Sequence, residues 1–484
     1  MNDLIRLINS FNSDEVSAFL AFAKARNQRT DVKNIALFQF IQQGARVDLD
    51  IKIYGKPNKN ALHALKNRLK ESLIDFIAIN GFASESQEEM QLFKLVLAAR
   101  IFLEREQYKL GFKTLKKAAS MAIALESYVV LQEIYYTQVQ YAHLNDVMSL
   151  EETIKAYQEN EKRYLAESRL VMAYATVQKA LKTHPVNVYK VIKTQLDLFQ
   201  ISIDQHLSFK SLYQLMNIAT EAATLKSDYA GVSIFINHIY DIVELKKQQA
   251  AKHLYYHCEI LYLIAGSCFR NKDFNRSQLL INELDLEIIK QKGRFKKQFE
   301  ERVLLLKALN YNYTGNAAKA IEEVSSFKKN SLRIRLAHAT FLFQQEQPQE
   351  ARRVINSFMH SDVFYEKKEN LLWVLKKNVL EILIYMELNQ PDLVESKMRS
   401  FKKKFRSRLL ELKEDRVLTF MSLLRLYFEH PFHITEDSFK NKVTAAFTYK
   451  TVDREDIFIM SFYAYLKAKM ENKSIYNATL ELVN

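Results

Sequence analysis

The sequence predicts an all-helical fold in which antiparallel helical hairpins stack on one another behind an N-terminal helical module. Three observations support this fold class. The 484 residues include only 8 glycines and 5 prolines, against roughly 12% in an average chain. Apolar residues recur at helical spacing, and helix breaks recur at intervals of roughly 32 to 45 residues, which is typical of helical-hairpin repeats. The scarcity of glycine and proline favours long helices and few turns.

The chain is too long for one compact core, so we expect more than one region. Residues 1–82 are predicted to form the N-terminal helical module, and residues 83–484 a helical-repeat array. One interpretation of the module is that it has a helix-turn-helix-like shape. The array is either one superhelix or two sub-arrays that meet near Gln248 or Lys290.

The clearest helix of the module is predicted over residues 61–80. Its apolar residues recur at three- and four-residue steps, which places them on one face: Leu62, Leu65, Leu69, Leu73, Phe76 and Ile77. Just before it, residues 47–54 (VDLDIKIY) alternate between apolar and polar. That alternation indicates a short extended connection or hairpin strand there.

Helix starts and breaks can be placed along the rest of the chain. Ser86 with Glu89, and Ser149 with Glu152, match the capping box at a helix N-terminus. Proline suits the first position of a helix, which applies to Pro185, Pro348 and Pro391. The predicted breaks between paired helices lie near Gln107, Asp146, Pro185, Asp228, Asp273, Gly315, Gln347 and Pro391.

Around several of these breaks the sequence resembles the tetratricopeptide repeats, whose hairpins carry small residues where the two helices approach. The best match contains Leu304, Ala308, Tyr311, Gly315 and Ala320. A second contains Ala99, Phe102, Gly111, Leu115 and Ala118, and a third contains Ala339 and Ala351. The resemblance implies an α-solenoid that binds partners. The layout is also similar to bacterial cytoplasmic repeat proteins of unassigned activity, so it implies no reaction.

Composition argues against several enzyme classes and against a membrane protein. Phosphate-binding loops need glycines a few residues apart, whereas the closest pair here is Gly44 and Gly55. We therefore expect no enzyme activity and no cofactor. The most apolar stretch, residues 260–266, is far shorter than the roughly 18 residues that span a bilayer. Residues 1–10 do not have the pattern of a signal peptide, and we expect a cytoplasmic protein.

The metal and thiol candidates lie together on one predicted helix. His253 and His257 are four residues apart, next to Cys258 and Glu259. Two ligands can begin a zinc site, but zinc usually takes three or four, so we interpret these histidines as structural and expect no metal. Cys258 and Cys268 are about 15 Å apart along a helix, too far for a disulfide, which fits a reducing compartment.

The charge of the chain, +14 at pH 7, is unevenly distributed. Residues 51–70 contain six basic residues and no acidic one. Within them, four residues step by four, three and four and form a stripe that could follow phosphates: Lys59, His63, Lys66 and Lys70. Exposed basic residues on a helix are more often simply solvated.

The second basic region runs from 290 to 410, with 25 basic and 13 acidic residues. Its densest part, which we call the basic patch, comprises Lys402, Lys403, Lys404, Arg406, Arg408, Lys376 and Lys377. Arg294, Lys296 and Lys297 lie upstream in the same region. The aromatic residues beside it belong to an apolar stripe that we predict to be core: Val394, Met398, Phe401, Phe405 and Leu409.

These features favour a non-catalytic scaffold whose repeat surface binds a protein or peptide partner, with the basic patch selecting an acidic one. The alternative is a nucleic-acid-associated regulator, in which residues 1–82 contact DNA or RNA and the repeats act as a sensor. An enzyme with a site assembled between helices is a third class. The sequence names no partner and no small-molecule ligand.

Overall fold

The structure, a computed structural model of the chain, describes residues 2–11, 13–26, 33–44, 47–80, 86–144, 149–183, 188–204, 207–226, 229–329, 331–411, 415–447 and 457–483. Over these residues the chain forms helices and turns and no strand, which confirms the all-helical class. The chain divides into two compact units, Met1–Tyr157 and Gln158–Asn484.

The first unit contains two hydrophobic cores. Its helices are α1 (Asn2–Ser10), α2 (Ser13–Arg26), α3 (Lys33–Gln42), α4 (Leu49–Tyr54), α5 (Lys59–Asn80), α6 (Ser86–Glu104), α7 (Tyr108–Ala124) and α8 (Tyr128–Gln140), followed by the start of α9 (Leu150–Thr183). Helices α1–α5 share one core, in which Leu69 and Leu73 are fully buried. Helices α6–α8 share another. The apolar stripe of α5 thus faces the core, as predicted. The domain boundary at residue 82 stays a prediction.

The predicted strand at residues 47–54 is wrong, because residues 49–54 form helix α4. The alternating residues do not share a buried face, since Leu49 is buried while Val47 and Ile51 are exposed. Local hydrogen bonds hold the helix instead. Asp50 accepts the backbone N–H of Asn58 at 3.0 Å, and the chain turns at Gly55 with φ near 71°, a conformation that favours glycine.

The second unit is built mainly from helix pairs. Its helices after α9 are α10 (Val188–Leu198), α11 (Phe209–Lys226), α12 (Tyr229–Leu245), α13 (Leu254–Arg270), α14 (Phe274–Glu287), α15 (Lys290–Gly293), α16 (Lys296–Tyr313), α17 (Ala317–Ser326), α18 (Leu332–Gln344), α19 (Pro348–Asn356), α20 (Asp362–Lys368), α21 (Leu371–Glu387), α22 (Pro391–Glu411), α23 (Asp415–Glu429), α24 (Asp437–Phe447), α25 (Ile457–Glu471) and α26 (Ile475–Val483). Helices α19 and α22 begin at Pro348 and Pro391, as predicted.

Successive pairs in this unit pack on one another. The first helices α11, α13, α16, α18 and α21 begin 36 to 45 residues apart, and each contacts the next. The second helix of each pair also contacts the first helix of the following pair. One hydrophobic core runs from α9 through α16, so it is continuous across Gln248 and Lys290, where a junction between sub-arrays was predicted.

The turns inside the pairs explain how the chain folds with so little glycine. At Gln107 the backbone N–H bonds to the carbonyl of Phe102 at 2.8 Å, which closes a Schellman turn. The same turn occurs eight times in the described chain. In each copy one residue has the left-handed conformation, with positive φ: Glu106, Glu126, Gln200, Lys272, Gly315, Glu346, Asn389 and Asn472. In all but one of these copies a longer side chain takes the place of glycine. The expectation of few turns was therefore wrong, although the breaks near Gln107, Asp273, Gly315, Gln347 and Pro391 are confirmed.

The other helix-start predictions have different outcomes. Ser149 caps α9, since its Oγ accepts the N–H of Glu152 at 3.3 Å. Helix α6 is described from Ser86 onward, and the capping box of Ser86 and Glu89 stays a prediction. The breaks near Asp146, Pro185 and Asp228 lie outside the described residues.

The end of the chain returns to the middle of the second unit. Helix α26 contacts α16 and α18. Tyr476 donates its hydroxyl hydrogen to the carbonyl of Asn312 at 2.7 Å, and the hydroxyls of Tyr313 and Ser461 are 2.7 Å apart. The first helices of the stack are thus partly covered by the chain's own C-terminal helices. Among the described helices, none has the length and apolar character needed to cross a bilayer.

Candidate functional site

The main candidate is a groove of about 310 Å³ in the second unit. We call it the inner groove, because the first helices of four successive pairs, α13, α16, α18 and α21, form its floor and α25 closes one side. Packed helices lie about 8–10 Å apart, so a floor that crosses four of them is elongated. Partly exposed apolar residues that line it include Tyr262, Leu305, Leu309, Ala337, Leu372 and Phe462.

Charged side chains in the inner groove come from three of its helices and the turn before α21. Arg270, Arg333, Lys376 and Glu369 all line it. Arg333 donates from Nε to the Glu369 carboxylate at 2.6 Å, so this pair is internally neutral. The charged lining residues are thus three cations and one carboxylate. An apolar segment carrying a carboxylate has the matching chemistry.

Three residues of the basic patch are bound to acidic side chains of the short helix α20. Lys377 and Lys404 both contact Asp362, with nitrogen to oxygen distances of 3.2 and 2.7 Å. Arg408 contacts Glu366 at 2.5 Å. These ion pairs tie α20 to α21 and α22. Much of the charge that the sequence offers to a partner therefore holds three helices together.

The remaining members of the basic patch separate into two places. Lys376 lines the inner groove, whereas Lys402, Lys403 and Arg406 do not line it and are exposed on α22. Within the part of the chain described, these three exposed residues form no ion pair. Phe401 and Phe405 between them are buried, which confirms that the aromatic residues are core. Whether the exposed residues bind an acidic partner stays a prediction.

Asp362 is the centre of the ion-pair network. Its burial acts to raise the pKa of its carboxyl, but the hydrogen bond from Lys404, the charge of Lys377 and the hydrogen bond from Asn378 outweigh this effect. The pKa of Asp362 is therefore lowered below its ordinary value of 3.8. The carboxylate is charged at neutral pH and is held by two cations and one amide.

Lys59, His63, Lys66 and Lys70, which we call the α5 stripe, lie along helix α5, as predicted. Lys59, His63 and Lys70 are exposed and Lys66 is half-buried, while the leucines between them face the core of α1–α5. The stripe is therefore open to solvent along three turns of helix. Its binding of nucleic acid stays a prediction.

His253, just before α13, and His257, Cys258 and Cys268 within it do not converge on one another. His253 stacks on Phe209 with ring centroids 5.0 Å apart. His257 is fully buried, and burial lowers its pKa. Cys258 and Cys268 are buried free thiols, and burial raises the pKa of the Cys258 thiol to about 12. A thiol that stays protonated is a poor nucleophile.

Two features were missed by the sequence analysis. His257 lies near Glu283 and Glu287 of α14, with one donor atom of each within 4.8 Å of the others. A second cavity, of about 400 Å³, lies between α9 and the segment after α10, and mixes cations such as Lys162 and Arg169 with the carboxylate of Glu159. Its mixed charge favours no one ligand.

Comparison with protein-family models, with curated proteins and with solved structures finds no match.

The Asp362 network leads to a stability prediction. Replacing Asp362 with Asn removes the nearer of two carboxylates beside the buried Lys377, the other being Glu381 at 3.9 Å. We expect a loss of about 1.5–3 kcal/mol in the free energy of unfolding. Lys404→Gln removes an exposed partner of the same carboxylate and should cost under about 1 kcal/mol. Urea unfolding followed by circular dichroism measures both. Equal losses in the two variants would contradict a buried link.

The same network sets a pH dependence. Because the pKa of Asp362 is lowered on folding, its contribution is fully present above about pH 4 and disappears as the pH falls through the lowered folded-state pKa. The difference in stability between the wild type and Asp362→Asn should therefore shrink only below about pH 4. Unfolding curves recorded from pH 7 to pH 3 check this, and a constant difference would argue against it.

Proposed function

We propose that the chain is a non-catalytic, tetratricopeptide-like helical-repeat scaffold whose inner groove binds a segment of a protein partner. The observation that carries the proposal is the floor of this groove, where four successive first helices expose apolar side chains side by side. An elongated apolar strip with few charges suits an extended or helical peptide segment.

The charge of the groove supports an acidic partner. Arg270 and Lys376 lie beside the apolar floor, where a carboxylate of the bound segment would meet them away from bulk water. Such contacts favour selection of the partner more than they add affinity. We therefore assign the recognition of an acidic partner to Lys376 and Arg270, because these two residues line the apolar surface. Lys402, Lys403 and Lys404 do not line it.

The groups in the groove also support binding rather than catalysis. The carboxylate of Glu369 is paired with Arg333 at 2.6 Å, and the hydroxyl of Ser461 contacts that of Tyr313 at 2.7 Å. Both groups are thus held by partners within the chain itself. The C-terminal helices narrow the groove, which limits the occupant to a single segment of chain.

A substitution on the groove floor tests this proposal. Ala337→Glu adds bulk and negative charge at the middle of the floor, on a helix that tolerates glutamate, and should weaken partner binding at least about tenfold, or 1.4 kcal/mol. The control is Ala318→Glu, which makes the same change at an exposed position of α17 outside the groove. The measurement is quantitative affinity capture from native cytoplasm after nuclease treatment.

A partner that the wild type and Ala318→Glu retain, and that Ala337→Glu loses, supports binding in the groove. Hydrogen exchange on the purified complex should then show added protection in α16, α18 and α21. Capture that is unaffected by Ala337→Glu would exclude the groove. Reversing the charge of Lys402, Lys403 and Arg406, which lie outside the Asp362 network, tests the exposed basic patch separately in the same assay.

The second candidate function is a nucleic-acid-associated regulator, and the exposed α5 stripe favours it. Replacing Lys59, Lys66 and Lys70 with glutamine should abolish binding to a labelled DNA duplex and remove the steep salt dependence, since each phosphate contact adds about 0.9 to the slope. The matched control replaces Lys109, Lys113 and Lys116, three exposed lysines of α7. Fluorescence anisotropy at several salt concentrations measures both. Equal binding by the two triple variants would reject the α5 stripe.

A further inference from the structure

His257 is a buried side chain without a polar partner. Its exposed fraction is 0%, and neither Nδ1 nor Nε2 forms a hydrogen bond with any described residue. The ring of Phe209 meets it edge-on, with the ring centroids 6.3 Å apart, and supplies no oxygen or nitrogen acceptor. Buried polar groups almost always have a partner, and a bound ion is one of the few explanations for an exception.

Two carboxylates lie where such an ion would be held. Glu283 and Glu287 are four residues apart on α14 and so share one face of that helix. One oxygen of each and one ring nitrogen of His257 lie within 4.8 Å of one another. Two ligands of one zinc ion can be at most about 4.4 Å apart, twice a bond of 2.0–2.2 Å. Small side-chain rotations therefore bring all three donors to bonding distance.

The charges around the site have an excess of carboxylates, which favours a bound cation. Lys247 contacts Glu283 at 2.8 Å and Glu244 at 3.3 Å, and Lys290 contacts Glu287 at 2.6 Å. Three carboxylates thus face two ammonium groups. Both lysine side chains are about half exposed, so each can turn to solvent or remain as an outer partner of its carboxylate.

We propose that His257, Glu283 and Glu287 bind a divalent transition-metal ion such as Zn²⁺, linking α13 to α14. One imidazole nitrogen and two carboxylate oxygens are ligands that zinc accepts, whereas calcium and magnesium prefer oxygen alone. Water completes the coordination. Of the two histidines that the sequence pairs, only His257 takes part, because His253 is stacked on Phe209. This site is separate from the inner groove and does not depend on the proposed function.

The experiment uses the full chain, stripped of metal with a chelator that is then removed, and titrated with ZnCl₂ in a calorimeter. We expect one Zn²⁺ per chain and a higher melting temperature with Zn²⁺ present, because the ion binds the folded state. His257→Leu should weaken binding by at least about 100-fold and abolish the zinc-dependent rise. Its metal-free melting temperature should equal or exceed that of the wild type, since a buried unpartnered polar group is removed.

Two further variants keep the test decisive. The double variant Glu283→Gln and Glu287→Gln retains shape but loses both anionic ligands, and should also lose Zn²⁺ binding. His238→Gln removes an exposed histidine of α12 and should bind Zn²⁺ as the wild type does. No binding by the wild type, equal binding by His257→Leu, or loss of binding in His238→Gln would overturn the proposal.

Discussion

The second unit depends on one constraint, which is that a pair of helices cannot cover both of its own apolar faces. Inside a pair the helices approach through small residues such as Ala308 with Ala320 and Ala339 with Ala351, all fully buried. The other face of each pair is covered only by the next pair. Stacking places the first helices side by side, and the inner groove is the surface that remains between them. The candidate site is thus a consequence of how the pairs bury themselves.

The sequence predicted the pairs well because their signals are local. The breaks near Asp273, Gly315 and Gln347 follow from the helical spacing of apolar residues and from the polar residues between helices. Both signals lie within a single helix pair. The error at residues 47–54 arose because strands and short helices can share the same alternating pattern. Here the hydrogen bonds around Asp50 and Gly55 favour the helix. The Schellman geometry of these turns, apart from the one at Gly315, could not be recognised, because glutamate, glutamine, lysine and asparagine occupy the position where glycine is expected.

The candidate sites were harder to predict because they depend on contacts distant in sequence. Counting charges from 290 to 410 could not reveal that Asp362 neutralises Lys377 and Lys404. Nor could it place Lys376 in an apolar groove. For the metal site a signal existed: His257 lies sixteen residues before the break at Asp273 and Glu287 fourteen after it. Antiparallel helices bring together residues that are equally distant from the turn between them. This rule could have predicted that His257 and Glu287 lie close to each other.

The central claim, that neighbouring pairs stabilise one another, is tested most directly by native-state hydrogen exchange on Ala339→Leu. The larger side chain overpacks the contact between α18 and α19, at a cost of about 1–3 kcal/mol. Stacking predicts the largest loss of protection in α18 and α19, a smaller loss in α16, α17 and α21, and none in α1–α5. Loss confined to α18 and α19, or a uniform loss that includes α1–α5, would contradict it.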